Sequence, residues 1–385
     1  MVKIALIAVG DPCRSTTWSG VPSNLVRELE QEGHEVFPLD ISADFAWHWC
    51  GVVFNRVLRK IYKPWQRVHF CNTKFALWLS RRWLKREINR VGGVDMVFST
   101  SFSVDLREAG VPTVMLHDWT EGYGILRSGA SALNICEKRS EQNQLDLITA
   151  CDLVVVLYPK SMEYLASICK GRSAKIKYIC NPVNAQPLTE AFWTERMARC
   201  SVASEEVHLL VVGGAWYQQN VEYVIQAADL LCNNNIVVDV VGRKSAATRP
   251  KYCKVAFHGY LNKDNEEEHQ KYDSLFMNAK CLINIRLGWG AGSSAAEAMY
   301  KCVPVIIGKY PDIESMYGEA EGRFGLYCRP GDVDDLAAQL RKLLSMPPPL
   351  YVKLCQSAHE ITKNDTYQNL VSSILANASI GEEIR

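Results

Sequence analysis

The chain has 385 residues, of which 48% are apolar, and a formal net charge of +1. This length predicts two domains, and the apolar content is sufficient for two sizeable cores. The balanced charge excludes a protein that attracts polyanions with its whole surface, so any such preference must come from local clusters. No stretch approaches the roughly 18 apolar residues that a membrane-spanning helix requires.

The fourteen cysteines indicate a reducing compartment. None of them stands in a C-x-x-C pair, and several lie within predicted strands and helices, such as Cys151, Cys281 and Cys302. This pattern is typical of small core residues and not of disulfides or zinc ligands. We therefore expect a cytoplasmic protein.

The amino-terminal stretch MVKIALIAVG predicts a first core strand, over residues 3–10, and not a signal peptide. A helix over about 23–32 and a strand over 36–39 complete a βαβ start. The turn Ser19-Gly20 in the first loop then faces the strand ends, where open α/β sheets bind ligands. Because G-x-G-x-x-G is missing, we expect no dinucleotide cofactor.

The segment over residues 45–90 is both basic and aromatic. Between residues 51 and 90, one acid, Glu87, stands against eleven basic residues: Arg56, Arg59, Lys60, Lys63, Arg67, Lys74, Arg81, Arg82, Lys85, Arg86 and Arg90. Aromatic residues alternate with them. This composition favours an anionic membrane interface or an acidic acceptor, with a solvated helical face and a buried aromatic side as the alternative. Nucleic acid is disfavoured, because the rest of the chain has no second basic stripe.

Alternation of strands and helices continues to residue 180. We expect a strand over 96–100, a short helix near 104–109, the strand-to-loop stretch VPTVMLHDW over 111–119, a helix over 133–150, a strand over 153–157 and a helix over 161–169. His117 stands at a strand end, where α/β proteins keep their chemistry. A single histidine is more often structural, so both interpretations stay open.

A second α/β series begins at HLLVVGGAW, over residues 208–216, and leads to the stretch LINIRLGWGAGSSAAEAMYKCVPVII over 282–307. This stretch predicts a strand, a glycine loop, a helix opened by Ser293 and Ser294, and a second strand. Glycines allow close backbone approach, and the first amides of a helix attract anions. Glu297, one turn into the helix, could accept hydrogen bonds from a ribose diol; a serine cap and an acid that favours the helix dipole is the alternative.

An acidic cluster near the carboxyl terminus also has two interpretations. Asp332, Asp334 and Asp335 could suggest a metal, but they directly precede the helix predicted over 333–344. We therefore expect capping and compensation of the helix dipole.

Taken in order, these segments resemble the GT-B fold glycosyltransferases, and specifically family 4 of nucleotide-sugar-dependent, retaining enzymes. The resemblance covers nearly the whole chain and rests on the turn Ser19-Gly20 and on the stretches EGHEVFPL, VPTVMLHD, YICNPVN, HLLVVGG, VAFHGYL and WGAGSSAAEAMYKCVPVI. It implies an α/β protein with two Rossmann-like α/β/α domains that face each other across a cleft. Residues 1–185 would bind the acceptor, residues 186–360 the donor, and the tail over 361–385 would pack back toward the first domain.

The resemblance also implies roles for single residues. Glu297 would hold the ribose, and the segment from Gly259 to Leu261, with Tyr260 in its middle, would flank the base. The diphosphate would be bound by the amides of Gly292, Ser293 and Ser294. His117 and the Ser19-Gly20 loop would face the sugar and the acceptor.

Three positions depart from the family pattern. Trp289 stands where the family has the first glutamate of its E-x7-E segment, which contacts the donor sugar. Gly214 and Gln219 stand where it has an arginine and a lysine after the first donor-domain strand. By their place in the motifs, Trp289 and Gly214 are still expected at the donor-binding site. The growing charge of a diphosphate leaving group still needs stabilisation, so other cations have to supply it.

Arg286, Arg243 and Lys244 are the candidates for those cations, because each stands at the end of a predicted donor-domain strand. An arginine can hold a phosphate through two parallel N–H bonds. No metal and no bound cofactor would then be required. Retaining members of the family are thought to need no protein nucleophile; an inverting reaction would need a general base, for which Asp118 and His117 are the candidates.

The function that the resemblance implies is transfer of a sugar from a nucleoside diphosphate to a glycan or lipid-linked acceptor, in polysaccharide or glycoconjugate biosynthesis. The chain would act in the cytoplasm, with peripheral contact at the inner face of the membrane. Two alternatives are a glycosyltransferase-like subunit that binds without catalysis and another GT-B enzyme such as a nucleotide-sugar epimerase.

Overall fold

The computed structural model describes residues 1–169, 175–202, 205–214, 217–286 and 292–378. The chain forms two compact units. The first unit comprises Met1–Pro182 together with the chain from Thr366 onward, and the second unit comprises Val183–Asp365. Both are α/β structures built on a parallel sheet, as the sequence predicts.

The sheet of the first unit has, in the described residues, the parallel strands β1 (Lys3–Ala8), β2 (Glu35–Asp40), β3 (Met96–Ser99), β4 (Thr113–His117), β5 (Leu153–Val156) and β6 (Lys175–Tyr178). Its strand order is β2-β1-β3-β4-β5-β6. Most of these strands are short apolar runs, such as the LVVV of β5, because helices cover both faces of a parallel sheet. The first helices of this unit are α1 (Val21–Gln31), α2 (Phe45–Val53), α3 (Arg59–Ile61), α4 (Lys74–Arg90), α5 (Glu121–Arg127), α6 (Ile135–Ile148) and α7 (Pro159–Ile168).

The basic aromatic segment is helical, and part of it is core. A π-helical turn, Phe54–Leu58, joins α2 to α3. Trp47, Phe54 and Trp83 are buried in the cluster that also contains sheet residues such as Val97 and Met115. The basic side chains of the segment lie mostly at the surface.

The predicted short helix near residues 104–109 is wrong, because this stretch is irregular. The buried carboxylate of Asp105 accepts hydrogen bonds from the backbone N–H of Arg107 at 3.2 Å and from the guanidinium of Arg81 at 2.9 Å. An aspartate that bonds to nearby backbone offers the chain an alternative to helical hydrogen bonds.

The sheet of the second unit has, in the described residues, the parallel strands β7 (Val207–Val212), β8 (Ile236–Val241), β9 (Lys254–Gly259), β10 (Ala279–Asn284), β11 (Val305–Gly308) and β12 (Gly325–Cys328). Their order is β12-β11-β10-β7-β8-β9. The helices are α8 (Glu190–Ser201), α9 (Gln218–Asp229), α10 (Glu266–Asn278), α11 (Ser293–Tyr300), α12 (Pro311–Tyr317), α13 (Val333–Leu344) and α14 (Pro348–Thr362).

The last helix, α15 (Tyr367–Asn377), returns to the first unit, where it packs against α1. At the point of return, the backbone N–H of Val183 donates to the carbonyl of Asp365 at 2.7 Å. The start and the end of the second unit are therefore held together.

The acidic cluster before α13 caps the helix, as the sequence predicts. The carboxylate of Asp332 accepts a hydrogen bond from the backbone N–H of Asp335 at 2.9 Å, and Asp334 and Asp335 lie in the first turn. Within the described residues, no group of three or more potential ligands is arranged to hold a metal ion. Over the same residues, no helix combines the length and the hydropathy needed to span a bilayer.

Candidate functional site

In the second unit, the order of the strands reverses between β7 and β10. The chain leaves β7 toward β8 and β9 on one side, and it leaves β10 toward β11 and β12 on the other. In an open α/β sheet, the carboxyl ends of the strands at such a reversal form a crevice that binds ligands. The residues that follow β7 and β10 are therefore the candidate donor site.

Glycines directly after the carboxyl ends of β7 and β8 let the two chain segments approach each other closely. The N–H of Gly213 donates to the carbonyl of Val241 at 3.1 Å, and Gly242 has a φ of +92°. A Cβ at Gly242 would lie only 2.5 Å from the carbonyl oxygen of Gly213, so a larger residue cannot be accommodated there. Gly214, a predicted donor-binding position, is exposed next to this crossing.

Arg286 follows β10 directly and is half-buried. Its guanidinium carbon lies 5.6 Å from the centre of the Tyr217 ring, and its carbonyl oxygen accepts a hydrogen bond from the hydroxyl of Tyr310. The Tyr217 ring also covers Gly213, where an added Cβ would lie 2.3 Å from it. Tyr217 therefore packs between the end of β7 and the predicted cation Arg286.

Helix α11 begins at Ser293, and its first turn contains both predicted serines. Its N-cap is Gly292, which has a left-handed φ of +74°, and no side chain caps the helix. The serine-cap alternative is therefore wrong, and the glycine is required by the backbone angle. Trp289 lies outside the described residues.

Glu297 is buried, with 5% of its side chain exposed, and both of its carboxylate oxygens are engaged. Oε1 accepts a hydrogen bond from Nζ of Lys263 at 2.7 Å, and Oε2 accepts one from the hydroxyl of Tyr272 at 2.9 Å. Nζ of Lys301 lies 3.6 Å away. Burial raises the pKa of Tyr272, with a further contribution from Glu297, so the hydroxyl remains a donor. That Glu297 binds a ribose stays a prediction; a carboxylate has about four acceptor positions, so it could accept further bonds.

The other predicted donor-site residues lie behind β8 and β9. Arg243 is half-buried and Lys244 is exposed, and both follow Gly242 directly. The carbonyl of Arg243 accepts a hydrogen bond from Gly259 at 3.1 Å, which joins the two strand ends. Tyr260, the predicted neighbour of the base, is exposed.

The first unit has its own reversal, between β1 and β3. A cavity of about 100 Å³ lies there, lined by Ala8, Val9, Thr17, Trp18, Pro22, Thr100, Ser101 and His117. The loop that approaches it is strained, because Trp18 and Ser19 have positive φ angles of 40° and 55°. Strained backbone is concentrated at functional sites. Ser19 is exposed, while Gly20 is the N-cap of α1.

His117 and Asp118 have shifted pKa values in opposite directions. The His117 ring stacks on Trp18 at 4.9 Å, and its Nδ1 has no hydrogen-bond partner among the described residues. Burial lowers the pKa of His117 to about 4. Burial raises the pKa of Asp118 to about 7, although Trp18 donates a hydrogen bond to its carboxylate. At neutral pH, His117 is therefore neutral and Asp118 is close to half-protonated.

These shifts predict opposite effects on the pH dependence of stability. Between about pH 4 and 6.5 the unfolded state binds the proton of His117 and the folded state does not, so acidification destabilises the fold through His117. Between 3.8 and about 7 the folded state retains the proton of Asp118, so acidification stabilises the fold through Asp118. The measured quantity is the free energy of unfolding at pH 5 minus that at pH 7. Compared with the wild type, we expect His117→Gln to raise this difference and Asp118→Asn to lower it, each by an amount on the order of 1 kcal/mol.

Urea denaturation of the wild type and both variants at pH 5 and pH 7 measures these changes. The wild type is the reference for each difference. Parallel changes in the two variants would contradict the assignment of the two shifts.

Sequence reasoning missed several residues of the candidate sites. Lys263 and Tyr272 contact Glu297 from 34 and 25 residues away along the chain, and no local pattern marks them. Trp18 could have been suspected from its place beside the Ser19-Gly20 turn. Tyr217 follows the two glycines after β7 in the sequence, and nothing in the local pattern predicted that its ring would cover the end of that strand.

Comparison with known proteins agrees with this geometry. Residues 196–365 match the model of the family described as glycosyl transferases group 1. No curated protein sequence is significantly similar to the chain.

Solved structures of low sequence identity resemble the chain, two of them over nearly its whole length. A sucrose-phosphate synthase from Thermosynechococcus elongatus has a TM-score of 0.65 at 15% identity and covers 97% of both chains. A UDP-forming trehalose-phosphate synthase from Burkholderia xenovorans, in complex with glucose-6-phosphate, has a TM-score of 0.68 at 10% identity and covers 98% of this chain and 100% of that one. TarM from S. aureus, in complex with ligands that include UDP, has a TM-score of 0.51 at 13% identity and covers 74% of this chain and 55% of that one.

The chain has the GT-B fold. Its second unit contains the whole segment that matches the glycosyl transferases group 1 model. The resemblance to family 4-like GT-B glycosyltransferases that the sequence motifs indicate is confirmed. The class of enzyme that the family model supports is a glycosyltransferase.

Proposed function

We propose that the chain transfers a sugar from a nucleoside diphosphate to a hydroxyl acceptor. The observation that carries this proposal is the reversal of strand order between β7 and β10 in the second unit. Arg286 and the first turn of α11 follow the second of these strands, inside the segment that matches the glycosyltransferase family. This is the position in an open α/β sheet that binds nucleotides.

The chemistry at this position is stabilisation of the leaving diphosphate. The amides of Gly292, Ser293 and Ser294 would bind its oxygens at the positive end of α11. Arg286 would neutralise the charge that grows as the bond to the sugar breaks, with Arg243 and Lys244 as further cations. We propose that this set of donors makes a metal unnecessary, so that a chelator leaves the rate of transfer unchanged.

His117 and Asp118 would face the acceptor in the first unit. We propose transfer with retention, in which the leaving phosphate helps to deprotonate the acceptor. The pKa of Asp118, raised to about 7 by burial, also suits a general base, so an inverting reaction would use Asp118. NMR assignment of the product anomer distinguishes the two reactions.

The acceptor that we propose is a glycan or a lipid-linked sugar at the inner face of a membrane, in polysaccharide or glycoconjugate biosynthesis. The support is the composition of residues 45–90, in which basic and aromatic side chains alternate. Such segments bind anionic surfaces.

The direct test uses the purified chain and a panel of nucleotides and nucleotide sugars. We expect one nucleotide class at about 100 times its Kd to raise the melting temperature by about 5 °C, because a ligand that binds only the folded state stabilises it. The matching nucleotide sugar should release its nucleoside diphosphate, faster with acceptor than without. An isomerised donor or free sugar produced without any acceptor would instead identify an epimerase.

A binding subunit without catalysis is the second candidate. The observation that favours it is the engagement of both Glu297 oxygens by Lys263 and Tyr272. The replacement of the family's glutamate by Trp289 and of its arginine by Gly214 points the same way. Nucleotide binding without any consumption of the donor, with or without acceptor, would support this candidate over the enzyme.

A further inference from the structure

The helical segment from Phe45 to Ile61 has an exposed apolar stripe. It consists of α2, the π-helical turn and α3, which follow one another without a break. Every fourth side chain of the segment is apolar and exposed: Phe45 (76%), Trp49 (53%), Val53 (50%), Val57 (45%) and Ile61 (76%). We name these five residues the apolar stripe.

The π-helical turn helps to keep this stripe on one face. In a regular α-helix, side chains four residues apart drift by about 40° around the axis at each step, so five of them would spread over nearly half of the circumference. A π-helical turn holds more residues than an α-helical one, because its hydrogen bonds span five residues. The π-helical turn at Phe54–Leu58 therefore counteracts this drift. It keeps Val57 and Ile61 closer to the side of the helix on which Phe45 lies.

The opposite side of the same segment is anchored in the core. Trp47 and Phe54 are 5% and 4% exposed. The ring of Phe54 stacks on Trp65 at 5.3 Å, and that of Trp47 meets Phe70 edge-on at 5.4 Å. The segment therefore has a fixed orientation, and the exposure of the stripe is a consequence of that orientation.

The surroundings of the stripe are positively charged. The chain has no acidic residue from position 45 to position 86. Arg56, Lys60 and Lys63 are exposed, and none of them forms an ion pair in the described part of the chain. Lys63 also lines a surface groove of about 720 Å³, together with Arg59, Gln66, Arg67, Asn134 and Glu137.

Within the groove, the two arginines already have partners. Arg67 forms a paired contact with Glu137 at 2.6 and 2.9 Å, and Arg59 donates to the carbonyl of Gln66 at 3.0 Å. Lys63 is therefore the groove cation whose side chain, among the described residues, forms neither an ion pair nor a hydrogen bond. An anion of headgroup size can occupy such a groove without breaking an existing ion pair.

A second exposed pair of aromatic rings belongs to α4, which packs against α2. Phe75 and Trp78 are stacked at 5.9 Å and are 53% and 44% exposed. The guanidinium of Arg82 lies 4.8 Å from the Trp78 ring. Tryptophan beside a cation is typical of the interfacial region of a bilayer.

We propose that the apolar stripe, with Arg56, Lys60 and Lys63, binds the surface of an anionic bilayer. The stripe would lie at the boundary between headgroups and acyl chains, and the three cations would contact lipid phosphates. The charge favours a bilayer over a protein partner. Residues 45–86 contain cations and no acid, and the Glu137 that lines the groove is neutralised by Arg67, which complements a uniformly negative surface. The proposal deepens the proposed function by naming the surface at which the acceptor lies, but lipid binding does not require glycosyl transfer.

Co-sedimentation of the full chain with vesicles tests it, without donor or acceptor. We expect binding to vesicles of phosphatidylcholine mixed with phosphatidylglycerol at low salt, and at least tenfold weaker binding to phosphatidylcholine alone or at high salt. The double variant Trp49→Ser with Ile61→Ser should bind the mixed vesicles at least tenfold more weakly, because two large apolar side chains are lost. The double variant Lys60→Glu with Lys63→Glu should lose binding to a similar degree.

Matched controls come from the second unit. Val202→Ser with Leu350→Ser removes two exposed apolar residues, and Lys342→Glu with Lys353→Glu reverses two exposed lysines; both should bind like the wild type. Far-UV circular dichroism and melting temperature verify that all variants fold. Failure of the wild type to bind the mixed vesicles at low salt, or equal loss in the controls, would overturn the proposal, and neither result would affect the donor-site assignment.

Discussion

Replacing Glu297 by alanine is expected to lower the free energy of unfolding by about 3–5 kcal/mol, because removing one partner of a buried ion pair leaves an uncompensated charge. Lys263 and Lys301 would lose the carboxylate that neutralises them, and their side chains are only 19% and 4% exposed. We expect the lower end of this range, because Lys301 keeps its contact with Asp273 and Lys263 keeps the carbonyl of Asn184 at 2.9 Å.

Urea denaturation followed by circular dichroism measures this effect. Glu267→Ala is the matched control, because Glu267 is exposed on the neighbouring helix α10, and it should change stability by less than about 0.5 kcal/mol. A Glu297→Ala variant that is as stable as the control would mean that the buried contacts contribute nothing.

The same residue can then be tested for donor binding, separately from stability. In the double variant Glu297→Gln with Lys263→Met, both charges of the closest pair are removed, so stability should recover toward that of the wild type. If Glu297 also holds a ribose, nucleotide affinity should stay about 10- to 150-fold below the wild type, because a charge-assisted hydrogen bond is still missing. Recovery of both properties would assign Glu297 a purely structural role.

Replacing Arg286 by alanine is expected to reduce kcat by about 10²- to 10³-fold, with a smaller change in KM. The reason is that the negative charge on the diphosphate grows as the bond to the sugar breaks, so an arginine beside it stabilises the transition state more than the bound donor. The contact with the Tyr217 ring at 5.6 Å is suited to hold the guanidinium in place.

Steady-state kinetics with the donor identified by the nucleotide panel measures this effect. Arg286→Lys should lie between the alanine variant and the wild type, since lysine keeps the charge but loses the planar fork. Arg199→Ala, at an exposed arginine that pairs with Glu195 on α8, should have wild-type kinetics. An increase in KM at unchanged kcat would make Arg286 a ground-state binding residue only.

Periodicity predicted the sheets and most helices because each element follows from local patterns. The bounds of α13 were predicted without error, since Asp332 caps its first turn and the apolar period runs to Leu344. The strand-loop-helix-strand order around Glu297 was likewise predicted, with Ser293 as the first helical residue. Family resemblance then supplied the GT-B fold, which local patterns do not specify.

The contacts that decide the role of Glu297 could not be predicted in this way. Lys263 and Tyr272 reach it through tertiary packing from the connection after β9 and from α10. The π-helical turn was also missed, because an extra residue per turn cannot be distinguished from ordinary helical spacing over five residues. In residues 104–109, the side chain of Asp105 replaced the expected helical hydrogen bonds.

The hydrogen bond between Val183 and Asp365 has a consequence for how the chain can be dissected. Because the first and last residues of the second unit lie next to each other, this unit resembles a domain inserted into a loop of the first unit. Inserted domains of this kind tolerate excision and circular permutation. The first unit, in contrast, consists of two separate stretches of sequence. Truncating the polypeptide before α15 would therefore remove a helix from the first unit, although the deletion is at the carboxyl end of the chain.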